Sequence, residues 1–369
     1  MDARLRAVKN LEKPLKWAGA LFVMAFGIAG IAALRVGGAF RSVEPAFAGS
    51  CSPITLGGSS EDIAIDRRRG IAYLSLLDRD SVRHGEQVLG TVMLLDLNRA
   101  EPAPRAAMVY DPEFFRPHGL SLLATGSQPA RLFVVSHRPD GSHSVDIAEE
   151  GTAGGFFPKE TIRNAAFVHP NAIAATGARQ FYLTNDTLDE SQWALAKQAL
   201  LNSGRSTLIY FDGDKAHVEA ADLNVPSGLA LSPDGSRLYV TETLAHQLRI
   251  YRRDVASGAL GLEETIDLGA APANLGVDDD GVLWIAAYPK LLSLAAHLRD
   301  PRKRSPTQVL RFDPRIGRPA NGEIDPRVTE VYANDGAEIS AGSTAAPWRG
   351  EFLVGAPFDK KVLICKPNP

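Results

Sequence analysis

The feature that most constrains the fold of this chain is a short unit that recurs along it. The segment "VPSGLALSPDGSRLYVTE" (225–242) consists of two apolar stretches around an Asp-Gly turn, and a related segment, "APANLGVDDDGVLWIAA", begins at residue 271. The same pattern of strand, polar turn and strand begins at residues 59, 117, 169, 225, 271 and 339. Repeats at this spacing are typical of β-propeller blades that carry loops of variable length.

Further β-rich runs lie between these units, among them "VMLLDL" (92–97), "STLIYFD" (206–212) and "TQVLRFD" (307–313). With them each unit has about four strands, as a propeller blade does. The sequence therefore predicts an all-β fold, a six-bladed β-propeller. A β-sandwich also contains many short strands, but it does not explain one motif that recurs at a nearly constant interval.

Two helical insertions are predicted on this frame, over residues 187–204 and 288–301, because both segments carry apolar residues at helical spacing. They either pack their apolar faces on the propeller or form a lid that lies on a membrane.

The N-terminus contains "WAGALFVMAFGIAGIAAL" (17–34), 18 residues without a charge, which is near the lower limit for a transmembrane helix. Five Lys and Arg residues precede it, so the positive-inside rule keeps residues 1–16 in the cytoplasm. We expect a single-pass anchor over 17–34, a linker over 35–50 and the propeller over 51–365 in the periplasm or the extracellular or lumenal space. The alternative is a signal peptide cleaved near "AFA" (46–48).

The charge and the motif content of the chain exclude several classes of function, and its two cysteines bear on a possible disulfide. The net charge of −3 and the pI near 6.3 provide no basic surface for nucleic acid. The two cysteines, Cys51 and Cys365, lie at the two ends of the region that follows the apolar run. In a translocated domain they favour a disulfide, and two unpaired buried thiols are the alternative. The chain has no G-x-S-x-G, H-E-x-x-H, C-x-x-C or phosphate-loop motif.

Polar residues stand near the start of five of the six units. Successive blades place equivalent strands around one channel, so these residues converge at one end of it although they are far apart in sequence: Glu61, His118, Asn171, Ser227 and Asn274. The mouth of the channel is therefore the candidate site. The alternative is a water-filled polar channel without chemistry.

These units resemble the serum paraoxonase/arylesterase family over about residues 51–365. The resemblance rests on segments that occur in family order, among them "GSSEDIAI", "RPHGLSLL", "VVSHRPD", "FYLTND", "LSPDGSRLYVTETLAHQLRIY" and "GVLWIAAYP". It implies a six-bladed propeller that hydrolyses small hydrophobic lactones and aryl esters with calcium. It also implies a retained N-terminal apolar segment and a disulfide between the two ends of the propeller.

In that family a catalytic calcium is bound in the channel by a Glu, three Asn and an Asp. Glu61, Asn171 and Asn274 match three of these ligands, while Ser227 replaces the middle Asn and Ala273 replaces the Asp. Calcium prefers six to eight oxygen ligands and binds more tightly when more of them are charged. The resemblance therefore implies a weakened Ca²⁺ site.

A second family calcium lies below the first. Asp62 and the backbone carbonyl of Leu120 match two of its ligands, and Ala172 replaces an Asp. This site is weakened for the same reason.

Two histidines match the family's catalytic dyad. His118 lies in "PHG" and His137 in "SHRPD", and the resemblance implies that one imidazole acts as a general base on water while the other orients it. Two other functions remain open. In the first, the propeller has lost catalysis and serves as a binding or scaffold domain. In the second, it performs metal-free chemistry like the related strictosidine synthase-like propellers, with Glu61 or His118 as the acid/base.

Overall fold

The computed structural model describes residues 37–126, 128–152, 154–187, 205–319 and 325–368, together with Gly30, Leu34 and Arg35. Within these ranges the chain forms six antiparallel sheets of four strands each, arranged as the blades of a propeller. The predicted six-bladed all-β fold is confirmed. In five of the six sheets the strands are neighbours in chain order, and in the sixth the first strand of the chain pairs with the last.

The first three blades follow one another along the chain. Blade 1 contains β2 (Ser59–Asp66), β3 (Ile71–Leu77), β4 (Thr91–Asp96) and β5 (Arg105–Ala106). Blade 2 contains β6 (Pro117–Leu123), β7 (Arg131–His137), β8 (His143–Glu150) and β9 (Phe156–Ile162). Blade 3 contains β10 (Pro170–Ala175), β11 (Phe181–Asn185), β12 (Ser206–Phe211) and β13 (Ala216–Leu223).

Two further blades repeat this order, and the sixth is shared between the two ends of the chain. Blade 4 contains β14 (Pro226–Leu231), β15 (Arg237–Glu242), β16 (Gln247–Arg253) and β17 (Leu260–Asp267). Blade 5 contains β18 (Ala271–Val277), β19 (Leu283–Tyr288), β20 (Thr307–Phe312) and β21 (Val328–Asn334). Blade 6 contains β22 (Thr344–Trp348), β23 (Glu351–Gly355), β24 (Lys361–Pro367) and β1 (Gly49–Thr55).

The ring is closed by pairing the first strand with the last. β1 is antiparallel to β24, and their register places Cys51 directly opposite Cys365. The two cysteines form a disulfide, which confirms that prediction. The bond closes a loop across a sequence separation of 314 residues, so it restricts the unfolded chain strongly.

The hydrophobic core is divided among the six interfaces between neighbouring blades. Successive residues of a strand point to opposite faces of its sheet, so one strand contributes to two interfaces. In β3, for example, Ala72 and Leu74 pack toward blade 6, whereas Tyr73 packs toward blade 2. This is why β3 (IAYLSLL) and β19 (LWIAAY) are nearly continuous apolar runs rather than alternating ones.

Two helices lie in loops at one end of the propeller, α1 (Arg79–Arg83) after β3 and α2 (Leu291–Arg299) after β19. The helical insertion predicted over 288–301 corresponds to α2, whereas residues 188–204 of the other insertion lie outside the described residues. The sequence did not predict α1, which has only 5 residues and no apolar periodicity.

The predicted membrane anchor over 17–34 also lies almost entirely outside the described residues. Among the helices that the structure does describe, none is long and apolar enough to cross a bilayer.

Candidate active site

The polar residues of the repeats lie in β-bulges near the start of the inner strands. The first strand of each blade contacts its counterparts in the neighbouring blades, and we call it the inner strand. In five of the six inner strands, two residues lie opposite a single residue of the second strand, so the register shifts by one residue. The unpaired positions are Glu61 and Asp62, His118 and Gly119, Asn171 and Ala172, Ser227 and Gly228, and Ala273 and Asn274. Bulges redirect side chains away from the regular sheet. We call the end of the channel formed by Glu61, His118, Asn171, Ser227 and Asn274 the channel site.

One position differs from the sequence-based alignment of the repeats. Asn274 was expected to be equivalent to Glu61 and His118, but it occupies the second position of its bulge, and Ala273 occupies the first. The sequence shows which residues are polar, but the hydrogen-bond register that defines the bulge depends on the neighbouring strand.

Hydroxyl side chains on the second strands satisfy the backbone groups that the bulges leave unpaired. The N–H of Asp62 donates to Ser75 Oγ at 3.0 Å, that of Ala172 to Thr184 Oγ1 at 3.0 Å and that of Gly228 to Thr241 Oγ1 at 2.7 Å. A buried N–H without such a partner is costly, so these hydroxyls maintain the site geometry.

Residues from blades 1 and 5 meet at the channel site. The Nδ2 group of Asn274 donates to Glu61 Oε1 at 2.8 Å, although 213 residues separate the two in sequence. In blade 3, the Nδ2 group of Asn171 donates to Asp186 Oδ2 at 3.0 Å. Because each amide nitrogen donates to a carboxylate, the amide oxygen of the same side chain points away from that carboxylate.

Three buried oxygens of the channel site have no hydrogen-bond partner within the described part of the chain. They are Glu61 Oε2, Asn171 Oδ1 and Asn274 Oδ1. Buried polar atoms are almost always paired, so three unpaired ones at one site indicate a missing partner. Carboxylate and amide oxygens are the ligands that calcium prefers, so these residues fit a hard cation.

Ser227 contributes a fourth oxygen. Its Oγ lies 2.6 Å from Thr243 Oγ1, and the Thr243 hydroxyl donates to the carbonyl of Pro272 at 2.7 Å. Because the Thr243 hydroxyl hydrogen is used in that bond, the Ser227 hydroxyl donates to Thr243 Oγ1. The lone pairs of Ser227 Oγ therefore remain available. Ala273 contributes no side-chain ligand and packs in the apolar interface between blades 5 and 6.

The residues proposed for a second calcium are bonded to one another. Asp62 Oδ2 accepts the N–H of Leu120 at 2.8 Å, and Asp62 Oδ1 accepts the N–H of Ile63 at 2.8 Å. Thr344 Oγ1 also donates to Asp62 Oδ1, at 3.3 Å. The Asp62 carboxylate thus has donors on both oxygens and links blades 1, 2 and 6, while Ala172 has no oxygen to offer in its side chain. These residues do not fit a second cation well.

His118 and His137 lie side by side at the channel site. Their ring centroids are 4.9 Å apart, and His118 Nε2 lies 3.7 Å from Glu61 Oε2. The His137 Nε2–H donates to the carbonyl of Pro170 at 2.7 Å, which leaves the lone pair on Nδ1. The structure thus brings together the two histidines and the carboxylate that the sequence singled out.

Burial shifts the acid–base properties of these groups. Burial, with a smaller contribution from the positive charge of Arg79, lowers the pKa of His118 to about 3. Burial also lowers the pKa of His137 well below its ordinary value. Both imidazoles are therefore neutral at physiological pH, and the lowered pKa makes each a weaker base than a free imidazole. Burial raises the pKa of Glu61 to about 7, against the opposing effects of Arg79 and of the hydrogen bond from Asn274.

The sequence did not reveal three further residues beside the dyad. The rings of His143 and His169 lie 4.7 and 5.0 Å from that of His137, and His169 Nδ1 lies 2.5 Å from Asp186 Oδ1. Although these residues surround His137, no group of three or more His, Cys, Asp or Glu among the described residues is arranged to hold a metal. Their positions in the sequence could have indicated them, because each lies at or next to the end of a strand on the site side.

Comparisons with known proteins identify a matching family and related folds. The arylesterase family model matches residues 82–366. Serum paraoxonase/arylesterase 1 of Rattus norvegicus is 27% identical over 340 residues, which cover 89% of this chain and 91% of the relative. Among solved structures, a luciferin-regenerating enzyme has a TM-score of 0.53 at 12% identity, over 86% of this chain and 95% of its own. Regucalcin from Agrobacterium tumefaciens, a calcium-binding protein, has a TM-score of 0.50 at 15% identity, over 88% and 95%. At such low identities the two structures show a shared fold only.

Proposed function

Because the chain belongs to the arylesterase family, which its match over residues 82–366 establishes, we propose that it hydrolyses small hydrophobic esters or lactones at the channel site. The observation that carries the proposal is the set of three buried oxygens that lack a hydrogen-bond partner in the described part of the chain, beside two neutral histidines. These oxygens are of the kind that a hard cation prefers.

Glu61, Asn171 and Asn274 would hold one Ca²⁺, with Ser227 as a weaker fourth ligand. When bound, calcium would polarise the ester carbonyl and stabilise the negative charge that develops on its oxygen. A single carboxylate among these ligands predicts weak binding, so we expect the site to need the high calcium levels of an extracytoplasmic space. We do not extend the proposal to a second calcium at Asp62 and Leu120.

The histidines would move the proton. His118 is unprotonated at neutral pH and partly accessible, with a side chain 23% exposed, so it can take a proton from an attacking water. His137 is held by its hydrogen bond to Pro170 and would position that water or the His118 ring. His118 is thus the proposed general base and His137 the positioning residue.

We further propose that the protein is anchored to a membrane by residues 17–34, with the channel site near the bilayer. β3 and β19 both end on the site side, because Leu77 pairs with Ser59 and Tyr288 pairs with Ala271. The helices α1 and α2 therefore flank the site. Leu292 of α2 donates its N–H to the carbonyl of Gly37, which places the chain that follows the predicted anchor beside this helix.

Exposed apolar side chains on the same helix support this orientation. Leu292 and Leu298 are 48% and 46% exposed. An apolar helix surface beside an anchor suits the interface of a bilayer, from which hydrophobic substrates could enter. Membrane fractionation tests the anchor: the full chain should sediment with membranes and resist extraction by high salt. Release by salt, or a mature N-terminus near Gly49, would contradict the proposal.

The experiment that tests the activity uses the full chain in detergent with a panel of aryl esters and lactones. Wild-type protein should hydrolyse members of the panel, and His118→Gln should lower kcat by about 10²-fold or more, the usual contribution of a general base. The control is His217→Gln, because His217 is an exposed histidine of the outer strand β13 that pairs with Asp212.

The outcomes separate the candidate functions. If His118→Gln and the control hydrolyse the substrates equally well, His118 is not the base. If no member of the panel is hydrolysed at any calcium concentration, the binding or scaffold function is favoured instead.

A further inference from the structure

Arg79 is a partly buried cation at the channel site that the proposed reaction does not use. It is the first residue of α1, and its guanidinium reaches back to the inner strands of two blades. Nη1 donates to the carbonyl of Ser59 at 3.1 Å and to Ser59 Oγ at 3.2 Å, and Nη2 donates to the carbonyl of Pro117 at 2.9 Å. Ser59 lies two residues before Glu61, and Pro117 lies directly before His118.

The guanidinium therefore lies across the junction of blades 1 and 2, next to the residues of the channel site. Its charge interacts with Glu61, Asp62 and His118. Burial lowers the pKa of Arg79 to about 10, so the group remains charged at neutral pH. Its hydrogen bonds within the described chain end on neutral backbone and hydroxyl oxygens, which leaves its charge uncancelled by a direct ion pair.

The carboxylates near Arg79 explain why a positive charge is stabilising at this position. Glu61 and Asp62 are consecutive carboxylates, each about 8% exposed, and buried carboxylates need a countercharge. The adjacent Asp78 does not compete for the guanidinium, because it caps α1 through the N–H of Ser81 and pairs with Lys360 Nζ at 2.6 Å. Asp186, which accepts a hydrogen bond from Asn171, adds a third carboxyl group, so the carboxyl groups at the channel site outnumber the one guanidinium.

We propose that Arg79 is a built-in countercharge that sets the cation affinity of the channel site, an inference that rests on the proposed function. A positive charge close to Glu61 stabilises the site without metal and repels a divalent cation that binds to the same oxygens. Arg79 therefore makes the protein stable in the absence of calcium at the expense of calcium affinity.

Calorimetric titration of the full chain with Ca²⁺ tests this role through affinity rather than activity. Arg79→Gln should bind Ca²⁺ about tenfold or more tightly than the wild type, because the repulsive charge is removed. Arg79→Lys, which keeps the charge, should stay near the wild-type affinity. Equal affinity of Arg79→Gln and the wild type would overturn the proposal. Equal tightening by Arg79→Lys and Arg79→Gln would also overturn it. The cause would then be the loss of the hydrogen bonds to Ser59 and Pro117, not the loss of the charge.

Arg116→Gln is the matched control. Arg116 is another arginine on the site side, more deeply buried than Arg79, and its guanidinium likewise donates to backbone carbonyls, those of Val88 at 2.8 Å and Glu86 at 3.2 Å. This substitution should lower stability without changing calcium affinity. A tenfold gain in affinity from Arg116→Gln would show that loosening of the loops, and not charge, controls binding.

A stability comparison covers the case in which Arg79→Gln folds poorly. In chelator, Arg79→Gln should be less stable than the wild type, and the same substitution should cost much less in a Glu61→Gln background, because that background lacks a carboxylate that needs the countercharge. A merely structural bridge would cost the same in both backgrounds, and that result would overturn the proposal.

The Ala273→Asp background separates this inference from the proposed function. The substitution adds a carboxylate to the first bulge position of blade 5 and should strengthen Ca²⁺ binding. If Ala273→Asp binds Ca²⁺ and Arg79→Gln changes nothing in that background, only the role of Arg79 is wrong. If neither substitution gives binding at about 10 mM Ca²⁺, the calcium site of the proposed function is wrong, and the inference falls with it.

Discussion

Replacing Glu61 with Gln should stabilise the metal-free protein at alkaline pH. Burial raises the pKa of Glu61 from its ordinary value of 4.5 to about 7, so the folded protein holds this proton more tightly than the unfolded chain does. One pKa unit corresponds to about 1.4 kcal/mol, so ionisation of this group costs the folded state roughly 3 kcal/mol. Glutamine avoids this cost and can still accept the hydrogen bond from Asn274 through its amide oxygen.

The sign of the effect follows from proton linkage. Because the pKa is raised in the folded state, the full stability contribution of Glu61 is present below pH 4.5 and is lost as the pH rises to about 7 and above. The wild-type protein should therefore lose stability between pH 4.5 and about 7, and Glu61→Gln should lose less. Asp62, whose pKa burial and the Glu61 charge also raise to about 7, contributes a pH dependence that remains in the variant.

The assay is equilibrium unfolding in denaturant, in chelator, at pH 5 and pH 8.5. At pH 8.5 Glu61→Gln should be more stable than the wild type by up to about 3 kcal/mol, and at pH 5 the difference should be much smaller. Glu113→Gln, which alters an exposed carboxyl in the loop before β6, should show no such pH-dependent gain. A Glu61→Gln protein that is less stable than the wild type at pH 8.5 in chelator would refute the reasoning.

Three further predictions concern other parts of the structure. Cys365→Ser should lower the unfolding free energy by roughly 2–5 kcal/mol in denaturant curves, and the wild type with reductant should behave alike; an unchanged midpoint would contradict the role of the ring closure. Thr241→Val should cost about 1–3 kcal/mol, because the N–H of Gly228 and the carbonyl of Ala273 both lose a partner, whereas Thr241→Ser should retain most of the stability; equal losses would show that the hydroxyl is unimportant. Asn171→Ala should weaken Ca²⁺ binding in calorimetry, and unchanged binding would remove that residue from the ligand set.

The fold could be predicted from the sequence because one sequence pattern recurs in each blade. The recurring strand, turn and strand pattern identified six units, and the two cysteines indicated where the ring closes. Residues at the start of the inner strands must converge in such a ring, so the meeting of Glu61 and Asn274 followed from topology alone.

The details of the site could not be predicted in the same way. The bulge register that moves Asn274 to the second position depends on hydrogen bonds to a neighbouring strand. Arg79 lies in a loop that does not repeat between blades, and only the folded structure brings its guanidinium to Ser59 and Pro117. The pairing of His169 with Asp186 likewise joins residues from a loop and a strand end.

The most direct test of the central claim is the rate of lactone or aryl ester hydrolysis by the full chain as free Ca²⁺ is raised from chelated levels to about 10 mM. If the channel site is a weak calcium-dependent hydrolase site, activity should rise with calcium and half-saturate at the same concentration as calorimetric binding. It should be absent in Glu61→Gln, which lacks the one carboxylate among the proposed ligands. Hydrolysis at full rate in chelator by both the wild type and Glu61→Gln would contradict the account, and His118→Gln would then test a metal-free reaction at the same site.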